Sequence, residues 1–156
     1  VCPRAVIVRT SAFFGPWDEA NFVHRALTEL RSGRPFRAAA DETVSPTYVP
    51  DLADAVLTLL VDGAEGIWHL ASCGAITWAD LAHAAARMAS VPTDWLVACP
   101  SDELGLPARR PRYSALGSER GALLRSLEEV LSLFVSEWLE HRAHVTSARD
   151  HDLTAG

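Results

Sequence analysis

Three arginines stand close together in Arg109-Arg110-Pro111-Arg112. A guanidinium fork matches phosphate oxygens two at a time, so the cluster can clamp a diphosphate, although arginines in a loop also occur as plain solvated charges. Phe13, Phe14 and Trp17 follow an apolar run, where aromatic rings either stack on a base or sugar or fill a core. Both readings stand on sequence alone. His141-x-x-His144 would put two imidazoles on one helical face, but no third ligand pattern lies near, and a solvated helix end is the better reading than a metal site. The carboxylates of Asp18 and Glu19 precede a helical pattern and suit the positive end of its dipole better than acid–base work.

Several common chemistries have no motif here. The chain contains no G-x-G-x-x-G or G-x-x-G-x-x-G turn to cradle a dinucleotide, no Walker A loop, no G-x-S-x-G elbow and no H-E-x-x-H. All 14 basic residues are arginine, so every mechanism that needs a lysine must find it elsewhere. A net charge of −6, with acidic residues scattered, provides no basic footprint for nucleic acid or an anionic membrane. No apolar run approaches the roughly 20 residues that span a bilayer, and the cytoplasm is the default location. Cys2, Cys73 and Cys99 are odd in number and lack C-x-x-C spacing, which argues against a disulfide framework or zinc site.

The elements that must position these groups alternate between strand and helix. Ala5 to Val8 is a continuous apolar run patterned for a parallel strand buried on both faces. Phe22, Val23, Ala26, Leu27 and Leu30 recur at helical spacing, with Gly33 as a left-handed cap. Phe36 to Ala40 reads as a short strand and Ser45 to Pro50 as extended, because residues before proline avoid the helical region. Asp51 then opens a helix with Leu52, Ala53, Val56, Leu57 and Leu60 on one face, closed near Gly63. Gly66 to Leu70 reads as a strand, and Thr77-x-x-Asp80 as a capping box for a helix to about Met88. Pro92 to Pro111 is proline-rich and without helical period, and is expected to be a long ordered loop. Ser126-x-x-Glu129 is a second capping box, before Leu127, Val130, Leu131, Phe134, Val135, Trp138 and Leu139 on one apolar face. Residues 1–145 are thus expected to form one α/β unit and residues 146–156 a disordered tail.

Several segments together carry a family resemblance: Val8-Arg9-Thr10-Ser11-Ala12-Phe13-Phe14-Gly15-Pro16, Asn21-Phe22-Val23, and Ser45-Pro46-Thr47-Tyr48-Val49-Pro50-Asp51-Leu52-Ala53. They continue through Gly66-Ile67-Trp68-His69-Leu70, Thr77-Trp78 and Pro107-Ala108-Arg109-Arg110-Pro111-Arg112-Tyr113-Ser114-Ala115-Leu116. In this order they resemble the second half of the dTDP-4-dehydrorhamnose reductase family, within the extended short-chain dehydrogenase/reductases. The resemblance implies the carboxyl-terminal part of that α/β fold: the edge of a Rossmann-type parallel sheet plus a small mixed α/β substrate-binding lobe. It implies NADPH or NADH as cofactor of the full-length protein, with none held tightly by this chain, and reduction of a 4-keto-deoxyhexose nucleotide.

The family's acid is a tyrosine paired with a lysine four residues on. Tyr48 is followed at that spacing by Leu52 and Tyr113 by Gly117, so the pair is expected upstream, with the glycine-rich turn earlier still. By family position Thr10, Ser11 and Phe13 should line the nicotinamide end of the cleft, while Asn21, Arg110 and Arg112 should approach the diphosphate of a nucleotide-diphosphate sugar. The chain departs from the family at Ala12, where tryptophan is usual, and at Gly117, where aspartate is usual. Two partners follow as expectations: a cofactor-binding amino-terminal half, and a glycoside-hydrolase-like domain fused ahead of it. A resemblance to the regulatory β subunit of methionine adenosyltransferase also admits a non-catalytic nucleotide-sugar-binding or regulatory module.

Overall fold

The structure is a computed structural model and describes residues 4–122 and 124–153. Its strands are β1 Val6–Arg9, β2 Phe13–Phe14, β3 Phe36–Ala39, β4 Thr43–Val44, β5 Thr47–Tyr48, β6 Gly66–His69, β7 Ile76–Thr77 and β8 Leu96–Cys99. The helices are α1 Phe22–Arg31, α2 Val49–Val61, α3 Trp78–Met88 and α4 Leu127–Leu153, with a short 3-10 turn at Ser101–Leu104. Three strand pairs are parallel, β1 with β6, β2 with β5 and β3 with β8, while β4 runs antiparallel to β7. Parallel neighbours need a crossover, and both α1 and α2 lie in the connection from β1 to its partner β6.

The helix ends follow the side-chain signals. Thr77 Oγ1 accepts the Asp80 amide at 3.1 Å, and Ser126 Oγ accepts the Glu129 amide at 3.3 Å while Glu129 Oε2 takes the Ser126 amide at 2.9 Å. Orphan donors of the first turn are thereby satisfied within each box. Gly33 has φ +65°, the left-handed geometry required just beyond α1. α2 starts at Val49, two residues before the expected Asp51, because Pro50 in the first turn needs no amide donor.

Asp51 instead takes Arg125, whose Nε donates to its Oδ2 at 3.0 Å. The Arg125 hydrogen bonds hold the Asp51 carboxyl below the usual range. A carboxyl depressed on folding stabilises fully above its unfolded pKa, about 4, and loses that contribution as pH falls through the folded value. Arg125 is half exposed, so screening limits the pair, and Asp51→Asn should cost about 1 kcal/mol near neutral pH. Urea midpoints followed against pH should show wild type and variant converging below about pH 4.

The main core joins α1, α3 and α4. Val23, Ala26, Leu27 and Leu30 face Leu81, Ala82 and Ala85, and Val130, Leu131, Phe134 and Val135 close the third side. These positions repeat at three and four residues, as an apolar helix face must. Leu139, expected on the same α4 face, is 38% exposed. A smaller cluster packs Ala55 and Leu59 of α2 with Leu70 and Leu124, flanked by Val6, Val8, Leu52 and Val56.

Four expectations need correction. The proline-rich segment is not all loop: Leu96–Cys99 is a strand in register with Phe36–Ala39. Four apolar residues beside prolines carry no period, and only the β3 edge makes them a strand. On α2 the buried face is Leu52, Ala55, Val56 and Leu59, whereas Leu57 and Leu60 are exposed. β1 is covered on the Val6 and Val8 side alone, and Ile7 and its partner Ile67 are about half exposed on the other face. The α4 backbone continues helical to Leu153, through most of the segment expected to be a tail, while residues 154–156 lie outside the described residues. Among the described residues no helix is long and apolar enough to cross a membrane.

Candidate functional site

Three adjoining clefts meet at Arg110 and Glu42. The first, about 430 Å³, lies between Phe22, Phe36 and Trp78, with Arg25 and Arg37 at its margin. Phe22 packs on Trp78 at 4.6 Å between ring centroids and on Phe36 at 5.3 Å, so the aromatic wall is held from α1, α3 and β3 together. The second, about 260 Å³, is lined by Ser11, Ala12, Val44, Trp78 and Ser114 beside the shared pair. The third, about 280 Å³, runs from Ser101 and Asp102 past Arg109 and Arg112.

The arginine loop is pinned from below. Thr43 N donates to the Arg112 carbonyl at 2.8 Å, Ser114 N to the Thr43 carbonyl at 2.9 Å, and Leu116 N to Ser45 Oγ at 3.1 Å. These bonds fix the backbone at Arg112 and just after it, so less chain entropy remains to be lost when the neighbouring side chains take a ligand. Arg109 Nε lies 3.8 Å from Asp102 Oδ1 in a largely exposed pair. Among the described residues the guanidinium groups of Arg110 and Arg112 make no ion pair. Two uncommitted forks in a tied loop are what recognition of a diphosphate requires.

The residues picked out by sequence do not all converge. Ser11 shares a cleft with Arg110, and Arg112 shares another. Thr10 sits at the end of β1, its hydroxyl donating to Thr47 Oγ1 at 3.1 Å. Phe13 is 55% exposed and lines a separate apolar cleft of about 190 Å³ with Trp17 and Val49, while Phe14 is core. Asn21 is buried and caps α1: its Oδ1 accepts the His24 amide at 2.9 Å, and its Nδ2 donates to the carbonyls of Gly15, at 3.1 Å, and Asp18. Capping therefore falls to Asn21 rather than to Asp18 and Glu19, and the amide has no bond left for a phosphate.

Tyr48 is equally committed. It is buried, donates to Glu137 at 2.9 Å, and burial followed by that hydrogen bond pushes its phenol above the ordinary range. A phenol held so firmly protonated is core, not a proton donor near neutral pH. Gly117 turns its carbonyl to within 2.9 Å of His69 Nδ1. His144 of the histidine pair has its side chain outside the described residues. Sequence reasoning missed Glu42, Phe22, Phe36 and Trp78 as cleft residues. Phe22 read as core because its helical spacing is that of a core, Phe36 read as the start of a strand and Trp78 as part of a capping box, and Glu42 followed a strand with no motif around it.

Residues 1–143 match the family model described as RmlD substrate binding domain. The chain is 33% identical over 121 residues to a dTDP-4-dehydrorhamnose reductase of Mycolicibacterium smegmatis, covering 77% of this chain and 37% of that protein. It is 31% identical over 113 residues to a dTDP-4-keto-6-deoxy-D-glucose reductase of Streptomyces niveus, covering 72% and 39%. The crystal structure of Bacillus anthracis dTDP-4-dehydrorhamnose reductase in complex with NADP superimposes with a TM-score of 0.76 at 30% identity, over 85% of this chain and 48% of that one. The chain spans less than half the length of these relatives.

Proposed function

The chain belongs to the RmlD substrate binding domain family, and on that premise we propose that it forms the nucleotide-sugar-binding part of a reductase acting on a dTDP-linked 4-keto-6-deoxyhexose. The observation that carries this is Arg110, uncommitted at the junction of three clefts, with the equally uncommitted Arg112 two residues on in one of them, where hydrogen bonds tie the loop. An aromatic cleft suits the base, arginines the diphosphate and a polar cleft by Ser11 the sugar, with Arg110 common to both clefts. Diphosphate recognition falls to Arg110 and Arg112, with Asn21 setting the turn beside them.

NADPH or NADH would supply the hydride when bound to the full-length protein. The fit within this chain is confined to the nicotinamide end: Phe13 offers an exposed ring in an apolar cleft, and Ser11 a hydroxyl in the separate cleft it shares with Arg110, whereas Thr10 is tied to Thr47. The chain has no glycine-rich turn for the cofactor phosphates and no lysine for a tyrosine–lysine pair, so a reductase would need both from an amino-terminal half. Adding a dTDP-4-keto-6-deoxyhexose to the full-length protein with NADPH should oxidise the cofactor. Tight nucleotide-sugar binding with no turnover, and no Tyr-x-x-x-Lys upstream, would mark a regulatory module instead. The chain by itself should show no saturable NADPH fluorescence at micromolar concentrations.

A further inference from the structure

Glu42 is 3% exposed, yet it lines all three clefts. Its neighbour Asp41 is bonded to Ser101, from the amide at 2.8 Å and the hydroxyl at 3.3 Å. The Glu42 carboxylate, by contrast, makes no hydrogen bond or ion pair among the described residues, even though three arginines stand on the same cleft walls. A largely enclosed carboxylate with no protein partner, its oxygens open only to the cleft, is costly unless water or something entering the cleft returns hydrogen bonds to it. An acceptor-only group cannot serve a diphosphate, which it repels, so the complementary chemistry is a donor. The partners the cleft provides narrow the choice. Ser11 and Ser114 add hydroxyls around it, and Ala12 contributes only a methyl, held at φ +37° with its carbonyl accepting the Thr47 amide at 2.9 Å. That leaves a small polar chamber next to Arg110, at the carboxyl end of β1, where ligands of parallel sheets sit.

Resting on the nucleotide-sugar reading above, we propose that Glu42 is a specificity-determining residue that accepts a hydrogen bond from a hydroxyl of the hexose, in the chamber it shares with Ser11 and Ala12. The hexose joins the diphosphate directly, so a ligand with its phosphates on Arg110 carries its ring hydroxyls into reach of the carboxylate. The nucleoside lies beyond the phosphates, in the aromatic cleft whose wall Glu42 also joins, so dTDP without the hexose is the ligand that separates the two contacts.

Calorimetry on the full-length protein with dTDP-rhamnose and with dTDP tests this. Glu42→Gln should weaken dTDP-rhamnose about tenfold, since a charge-assisted acceptor becomes a neutral one, and leave dTDP unchanged or bound more tightly as repulsion is removed. Glu42→Asp keeps the charge but withdraws it by a methylene, and should produce the same split between the ligands. Equal weakening of both ligands, or no change in their ratio, overturns the proposal, because the carboxylate then serves the nucleoside or the fold. If wild type binds neither ligand, the nucleotide-sugar reading itself fails and takes this one with it.

Discussion

Arg110→Ala should weaken binding of a dTDP-sugar to the full-length protein by about 1.5–3 kcal/mol, the range for a hydrogen bond to a charged group, while leaving cofactor affinity nearly unchanged. The split is the informative part. Arg110 borders all three clefts, but not the apolar cleft of Phe13 and Trp17 where the nicotinamide end is proposed. Arg110→Lys should recover little of the loss, since an ammonium keeps the charge but not the two-pronged geometry. Titration calorimetry with both ligands reads the two affinities separately. An unchanged dTDP-sugar affinity, or an equal fall in both, would make the arginine loop a solvated feature of the surface.

Phe134→Ala should cost about 3–5 kcal/mol of stability, against a total of about 5–15 for a typical domain. Phe134 is 2% exposed and meets Phe14 edge-on at 5.7 Å, so its ring links α4 to the strand that follows the β1 loop. Removing it leaves a cavity between elements that cannot close on it, and the Phe14 ring loses its partner. Leu57→Ala on α2 is the matched control: Leu57 is 60% exposed and its truncation should stay within about 0.5 kcal/mol. Urea denaturation of both variants checks the contrast. Similar losses at the two positions would mean that the α2 face described above is rotated.

Local chemistry and short-range periodicity were legible without coordinates. The boxes at Thr77 and Ser126, the left-handed Gly33 and the buried face of α1 all follow from side chains that act within one helical turn of themselves. The arginine cluster was legible too, because a guanidinium needs only its own geometry to suit a phosphate. The order of segments from Val8 to Leu116 carried the family, as register along a chain is a property of sequence.

What only tertiary structure decided depends on neighbours far away in the chain. Leu96–Cys99 is a strand because Phe36–Ala39 offers it an edge, and Asn21 is a cap because Gly15 and His24 close around its amide. α2 is apolar nearly all round between Ala55 and Val61, so periodicity could not choose its face; the packing of Leu59 against Leu70 and Leu124 did. Glu42 followed no motif, and only the convergence of the β3–β4 turn, the arginine loop and Trp78 made it the shared wall of three clefts. Sequence determines what a group can do within reach of its own backbone, while burial and the meeting of distant segments decide which groups are free to do it.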